Sequence, residues 1–293
     1  MPRALPAILL ACALLPAPVA SEELTGTLKK IKDSGSVVIG HRESSIPFSY
    51  LDGRRRPIGY SIDLCLEIVE EIKDTLGVDE IKLEFVPVTP ENRLNMVASG
   101  KVDLECGSTT NNLERQKQVA FSPVIFVSGT KLMVRRPVAI RSYLDLKGKT
   151  VAVTAGTTNE RAVKTLSDKR KLGIRFLVAK DHHQSFTLVE RSKADAFATD
   201  DVLLYGLIAK SGRSREFQVV GEFLSYDPYG IVYRRNDPEF DAVVRSAFER
   251  LAASRELEQI YDKWFLAKLP TGERLNLQMS AQLRSLFEIL GLP

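Results

Sequence analysis

The sequence predicts an α/β protein of two lobes, each a mostly parallel sheet flanked by helices, joined by a hinge that the chain crosses twice. Three observations predict it. Strand and helix signals alternate from Ser36 onward. The alternation restarts near residue 143. Each half also contains a strand that leaves through a hydroxyl-rich turn, ECGSTTNN in the first and TAGTTNE in the second.

SVVIGH reads as a strand, and GYSIDLCLEIVEEIKDTLG as an amphipathic helix stopped by Gly77. IKLEFVPV is the next strand. TPENRLNMVASG follows as a helix with Thr89 as N-cap and Pro90 at its first position. VDLECGS is a strand. The stretch after it, STTNNLER, reads as a capped helix start with Arg115 about one turn in, an arrangement suited to an anion. A capped turn with a solvated arginine is the plainer account of the same residues.

In the second half, SYLDLKGKTVAVTAG leads into the helix GTTNERAVKTL. IRFLVAKD is a strand, HQSFTLVERSK a helix, ADAFATD a strand and DVLLYGLIAKSG a helix. The return EFQVVGEFLSYDPYGIVYRRND precedes the helix PEFDAVVRSAFERLAAS, the aromatic segment LEQIYDKWF and a final helix in NLQMSAQLRSLFEIL. Hinge crossings fall near Phe126–Gly129 and Gly221–Asp227. This division assigns residues 22–127 plus 222–293 to one lobe and 128–221 to the other. Ligands of open α/β sheets sit at the carboxyl ends of the strands, so the hydroxyl-rich turns should face a cleft.

Composition excludes several classes. Of 293 residues, 44% are hydrophobic and 27% charged, which is ordinary for a globular chain. The net charge of +4 is mild and spread out, with no basic block of the nucleic-acid-binding kind. Residues 1–21 combine Arg3, the apolar run Ile8–Leu15 and a small-residue end, which reads as a removable export signal. Cys12 would leave with it. Cys65 shares a helical stripe with Ile62, Val69 and Ile72 and reads as a buried apolar thiol. A Cys65–Cys106 disulfide is permitted by export, and the sequence leaves it open. Neither the cysteines nor the histidines have metal-site spacing.

HRESSIPFSY, GYSIDL, ENR, DLECGSTTNNLERQKQVAFS, LKGKTVAVTAGTT, KDHHQSF and YDKWF together resemble the glutamate/aspartate-binding periplasmic proteins of ABC importers. The resemblance runs from about Leu28 to about Leu286. It implies the two-lobed periplasmic-binding-protein fold, a periplasmic location, a monomer, and L-glutamate or L-aspartate trapped between the lobes for delivery to membrane permease subunits. It implies no catalytic residue, cofactor or metal, and no nucleic acid. Carried over by residue, Arg115 would clamp the α-carboxylate with backbone donors near Thr110 and the Thr158 turn. Ser108, Thr110 and Asp200 would receive the ammonium, and Arg42, Arg93 and His182 the side-chain carboxylate. Pro90 stands where the family usually has a serine, which removes a hydroxyl from the side-chain end.

The residues bear separately on these roles. Arg93 in a first helical turn opposes the dipole and calls for a negative partner, which an anionic ligand would supply; an arginine swung into solvent is the alternative. Arg42 either enters the cleft at a strand end or lies on an exposed loop. Arg115 either forks a carboxylate or pairs with Glu105 or Glu114. Of Asp200 and Asp201, one should cap the helix and the other face the cleft. Of His182 and His183, one should be surface. Three arginines against Asp200 leave an excess of positive charge that an acidic amino acid would balance. The rival readings are an exported cyclohexadienyl dehydratase-like enzyme on the same fold, which would need a general acid or base in the cleft, and a ligand-sensing module.

Overall fold

The computed structural model describes residues 23–137 and 139–291; the export signal read at residues 1–21 lies outside the described residues. Helix α1 (Gly26–Ser34) ends at Gly35 in the left-handed region and turns into β1 (Ser36–His41). Three short strands follow, β2 (Ser44–Ser45), β3 (Ser49–Leu51) and β4 (Pro57–Ile58), paired antiparallel. They deliver the chain to α2 (Tyr60–Leu76), which buries Ile62, Cys65, Val69 and Ile72 along one stripe and stops at Gly77 with φ 65°. Strand β5 (Lys82–Pro87) then runs parallel to β1 with Ser36 opposite Lys82.

Helix α3 (Arg93–Ala98) starts later than the sequence suggests. Residues 89–92 form a turn, closed by the Arg93 N–H donating to the Thr89 carbonyl at 3.1 Å. Pro90 fits that turn because its missing N–H is not needed there. After β6 (Leu104–Cys106) the expected helix start is instead an irregular loop ending in one 3₁₀ turn, Arg115–Lys117. A three-residue turn carries no appreciable macrodipole, so Arg115 itself supplies any positive charge there. Strand β7 (Val119–Phe121) completes the first half.

The chain crosses as β8 (Phe126–Ser128) and enters β9 (Thr130–Arg135). A 3₁₀ turn, Tyr143–Leu146, leads to β10 (Thr150–Thr154). Then come α4 (Thr158–Arg170), β11 (Arg175–Ala179), α5 (His182–Glu190), β12 (Ala196–Asp200), α6 (Asp201–Lys210) and β13 (Phe217–Val220). The return passes β14 (Asp227–Tyr229) and β15 (Val232–Arg234), and the chain closes with α7 (Pro238–Ala253), α8 (Glu256–Phe265) and α9 (Ala281–Gly291).

Two five-stranded sheets result, ordered β5-β1-β6-β15-β7 and β11-β10-β12-β9-β13. In each, three strands are parallel and the chain enters or leaves by antiparallel ones. The two connections between the sheets pair with each other. Strands β8 and β14 are antiparallel, with Asp227 opposite Ser128 and Tyr229 opposite Phe126. An aromatic cluster seats this pair: Phe126 lies 5.1 Å from Phe48 and 4.9 Å from Phe265, and Tyr229 lies 5.1 Å from Phe48. Helix α8 is anchored as well by Trp264 Nε1 donating to Asp63 at 2.6 Å.

Cys65 is not a free thiol. It is disulfide-bonded to Cys106, tying the middle of α2 to the end of β6. Among the described residues no helix is long and apolar enough to cross a membrane.

Candidate functional site

Three guanidiniums are sunk between the two sheets. Arg42 follows β1, Arg93 opens α3 and Arg115 begins the 3₁₀ turn after β6; they are 1%, 2% and 7% exposed. Burying three cations together is unfavourable unless something negative is close. Arg93 Nη1 donates to the Ser108 carbonyl at 3.3 Å, and Arg115 Nη1 to the Thr110 carbonyl at 2.8 Å. Arg115 Nη2 reaches across to the Gly156 carbonyl on the other side, at 3.5 Å. Arg42 Nη1 and Arg93 Nε, both buried, have no protein partner. Burial, and then repulsion from Arg93, pushes Arg42 and Arg115 down to about 9; burial lowers Arg93 too. All three stay cationic at neutral pH.

The structure corrects the partners read from sequence. Arg42 is not an exposed loop residue, because the short β2–β3–β4 sheet folds over it and Ser49 Oγ accepts its backbone N–H at 2.9 Å. Glu114 pairs with Arg161 of α4, not with Arg115. Glu105 lies 3.9 Å from Arg93, so the arginine has an acidic neighbour inside the protein. The tally of three arginines against Asp200 alone is incomplete, since Glu105 and Asp227 are buried beside them.

The hydroxyls of Thr110 and Thr158 both donate to Asp227 Oδ1, at 3.0 and 2.8 Å, drawing the two turns together at the return crossing. They are also 3.3 Å from each other. Thr158 is the first residue of α4, whose cap is Thr157, so the helix's first backbone N–H groups lie at that turn. Ser108 Oγ is buried without a protein partner.

Asp200 and Asp201 divide, but not with Asp201 at the cap: Asp200 holds the N-cap position of α6 without a side-chain cap bond, and Asp201 is the first residue of the helix. Asp201 accepts from the Val202 N–H at 2.8 Å and from Ser128 Oγ at 2.7 Å. Asp200 is buried and accepts from Asn159 Nδ2 at 2.8 Å and from the Tyr229 phenol. Burial, then the neighbouring Asp227 charge, holds the Asp200 carboxyl well above the usual range.

His182 is buried while His183 is exposed. Its Nδ1 is 3.0 Å from Thr154 Oγ1, itself 2.9 Å from Ser185 Oγ. Burial, then the charges of Arg42 and Arg93, keeps His182 well below its ordinary value and therefore neutral. All eight residues singled out from the sequence are thus drawn towards one place between the sheets, through contacts or mutual charge effects.

Three participants escaped the sequence reading, Asp227, Asn159 and Tyr229, and Glu105 entered it only as an alternative partner of Arg115. An ionisable residue in the short strand VDLEC, whose neighbours are apolar, is a usable signal for a buried charge. Asn159 and Tyr229 carry none, because their roles depend on the hinge bringing distant segments together. The assembly can bind anions at several points and an ammonium at Asp200.

The chain is 48% identical over 276 residues to a Pseudomonas aeruginosa protein named as an L-glutamate/L-aspartate-binding protein, covering 94% of this chain and 91% of that one. It is 43% identical to a Salmonella typhimurium glutamate/aspartate import solute-binding protein, covering 89% and 87%. Among solved structures, a mutant of ArgBP from T. maritima superposes with a TM-score of 0.73 at 27% identity, covering 82% of this chain and 99% of that one. These names describe binding and import without a reaction, in line with a binding protein rather than an enzyme. The family match itself spans residues 37–267, from β1 through both sheets to just beyond α8, and the chain belongs to the bacterial extracellular solute-binding proteins, family 3.

Proposed function

We propose that the protein captures L-glutamate or L-aspartate between its two lobes and presents it to the membrane permease of an ABC importer. The observation that carries this is the convergence of Arg42, Arg93 and Arg115 in one buried site. With Asp200 held towards its neutral form, three guanidiniums face two carboxylates, Glu105 and Asp227. This single positive charge draws in an amino acid with one net negative charge, and Asp200 becomes the counter-charge of its ammonium once the Asp200 proton has left. A neutral side chain such as that of glutamine would leave a buried guanidinium poorly paired. The names of the P. aeruginosa and S. typhimurium relatives support the same ligand class.

In this reading Arg115 receives the α-carboxylate with the backbone N–H groups of the Thr110 and Thr158 turns. Ser108, Thr110 and Asp200 receive the ammonium, and Arg42, Arg93 and neutral His182 the side-chain carboxylate. Thr110 and Thr158 are held by Asp227, so their turns are set in place before a ligand arrives. The lobes are residues 22–127 plus 222–293, and 128–221, with β8 and β14 as the hinge. The protein acts as a monomer in the periplasm after removal of residues 1–21.

Calorimetric titration of refolded residues 22–293 with L-glutamate, L-aspartate and L-glutamine tests the proposal. Micromolar or tighter binding of an acidic amino acid, about −8 kcal/mol or better, with glutamine much weaker, is expected. No response to either acid would overturn it.

A further inference from the structure

Glu105 makes none of the ligand contacts just proposed, yet it is fully buried in β6, between Gly40 of β1 and Val232 of β15. Its Oε2 accepts from Thr109 Oγ1, and its Oε1 accepts no hydrogen bond from the protein. Oε1 lies 3.9 Å from Arg93 Nη1. A Cβ added to Gly107 would overlap Oε1 and stand 3.0 Å from Arg42 Cγ, so Glu105 and Arg42 close on that glycine from two sides. Glycine at 107 is what lets the carboxylate fold forward past its own strand towards the guanidiniums. Glu105 is also the one acid whose charge acts on Arg42, Arg93 and Arg115 alike.

We infer that Glu105 sets the charge preference at the side-chain end of the site. By offsetting one of the two guanidiniums there, it leaves a single net positive charge, which suits a side group bearing one negative charge and disfavours one bearing two. This rests on the proposal that Arg42 and Arg93 form that end. Glu105 acts through the arginines and is not itself a ligand contact. A merely structural counter-ion would keep the guanidiniums in place and, when lost, would weaken every ligand alike. A charge-setting residue changes the order of ligands.

The test uses two ligands with a tetrahedral acid group in place of the glutamate side-chain carboxyl. L-Homocysteate carries one negative charge there; O-phospho-L-serine carries two at pH 8, since the second phosphate pKa is about 6. Both are titrated against wild type and Glu105→Gln in residues 22–293, by competition with L-glutamate where binding is weak. Wild type should favour homocysteate. In Glu105→Gln the affinity ratio should move towards phosphoserine by about tenfold or more. If Glu105→Gln fails to fold, Glu105→Asp, which draws the charge back by one methylene, should move the ratio the same way by less. A ratio unchanged between wild type and variant, even with both affinities reduced, overturns the role of Glu105 alone. Failure of wild type to bind L-glutamate or L-aspartate removes the underlying binding proposal, and this inference with it.

Discussion

Tyr229, on the return crossing, donates its phenolic proton to Asp200 Oδ2, at the end of a strand in the other sheet. The carboxyl that is proposed to meet the ligand ammonium is therefore fixed by a residue of the hinge. Because burial and Asp227 hold Asp200 well above the usual carboxylate range, it gives up its proton at higher pH than an ordinary carboxyl, and an arriving ammonium favours that release. Binding near neutral pH should release protons, and affinity should rise with pH until the free-state pKa of Asp200 is passed. Titration in two buffers of different ionisation enthalpy measures this; no proton release would contradict it.

Asp200→Asn separates stability from binding. A carboxyl whose folded pKa is raised loses stability as pH climbs above its unfolded value, towards the folded one. The amide cannot ionise, so the unliganded variant should melt a few degrees higher than wild type at pH 8, since about 1 kcal/mol corresponds to about 2–4 °C at this size. Its affinity for an acidic amino acid should fall at least about 30-fold, because the buried ammonium loses its counter-charge. Unchanged affinity would remove Asp200 from the site.

His182 makes the opposite prediction for acid. Its folded pKa is depressed, so the stability tied to its neutral form is complete above the unfolded value near 6.5 and is lost as pH falls below it. Melting of the unliganded protein should drop between pH 7.5 and 5.0, and His182→Gln should shrink that drop. An identical acid limb in both proteins would show that other groups dominate.

Gly206 of α6 is pressed against the Ile46 carbonyl, and a Cβ there would collide with it. Alanine suits a helix interior better than glycine by up to about 1 kcal/mol, so Gly206→Ala should not unfold the second half. It should instead hold α6 away from the β2–β3 turn, raising Kd by about tenfold or more through faster ligand release. Rapid-mixing release kinetics with a thermal melt would separate the two effects; an unchanged release rate would mean the contact is not part of closure.

Replacing Cys65 and Cys106 together by alanine removes the link across 41 residues of sequence. Loop entropy places the loss at about 3–4 kcal/mol, read as a lower denaturant midpoint. Affinity should fall as well, since Cys106 is two residues from Ser108. A midpoint matching wild type would show that the tie contributes little.

Most of the fold was legible because its signals are local. The period of α2, the alternation in β1 and the glycine stop at Gly77 each follow from neighbouring residues. The Arg93 helix began late because Thr89 closes a turn through its carbonyl before the helix proper starts. The loop after β6 lost its expected helix because Thr109, Thr110 and Asn112 are bonded to Glu105, Asp227 and the Arg115 N–H instead. The three arginines were found from their positions at strand ends and helix starts. Of their counter-charges, Glu105 is legible only as an alternative partner of Arg115, and Asp227 is not legible at all, because it reaches the site only after the chain has crossed and returned.

The pairing of β8 with β14 gives the molecule a two-ply strap instead of two independent tethers. Ladder hydrogen bonds forbid one ply from sliding along the other, so the permitted motion is a bend across both together, about a single line. In the closure proposed above, each half would approach the other in nearly one orientation, a search along one coordinate rather than through a volume. A trap built this way loses little orientational freedom each time it shuts, because folding has already removed it.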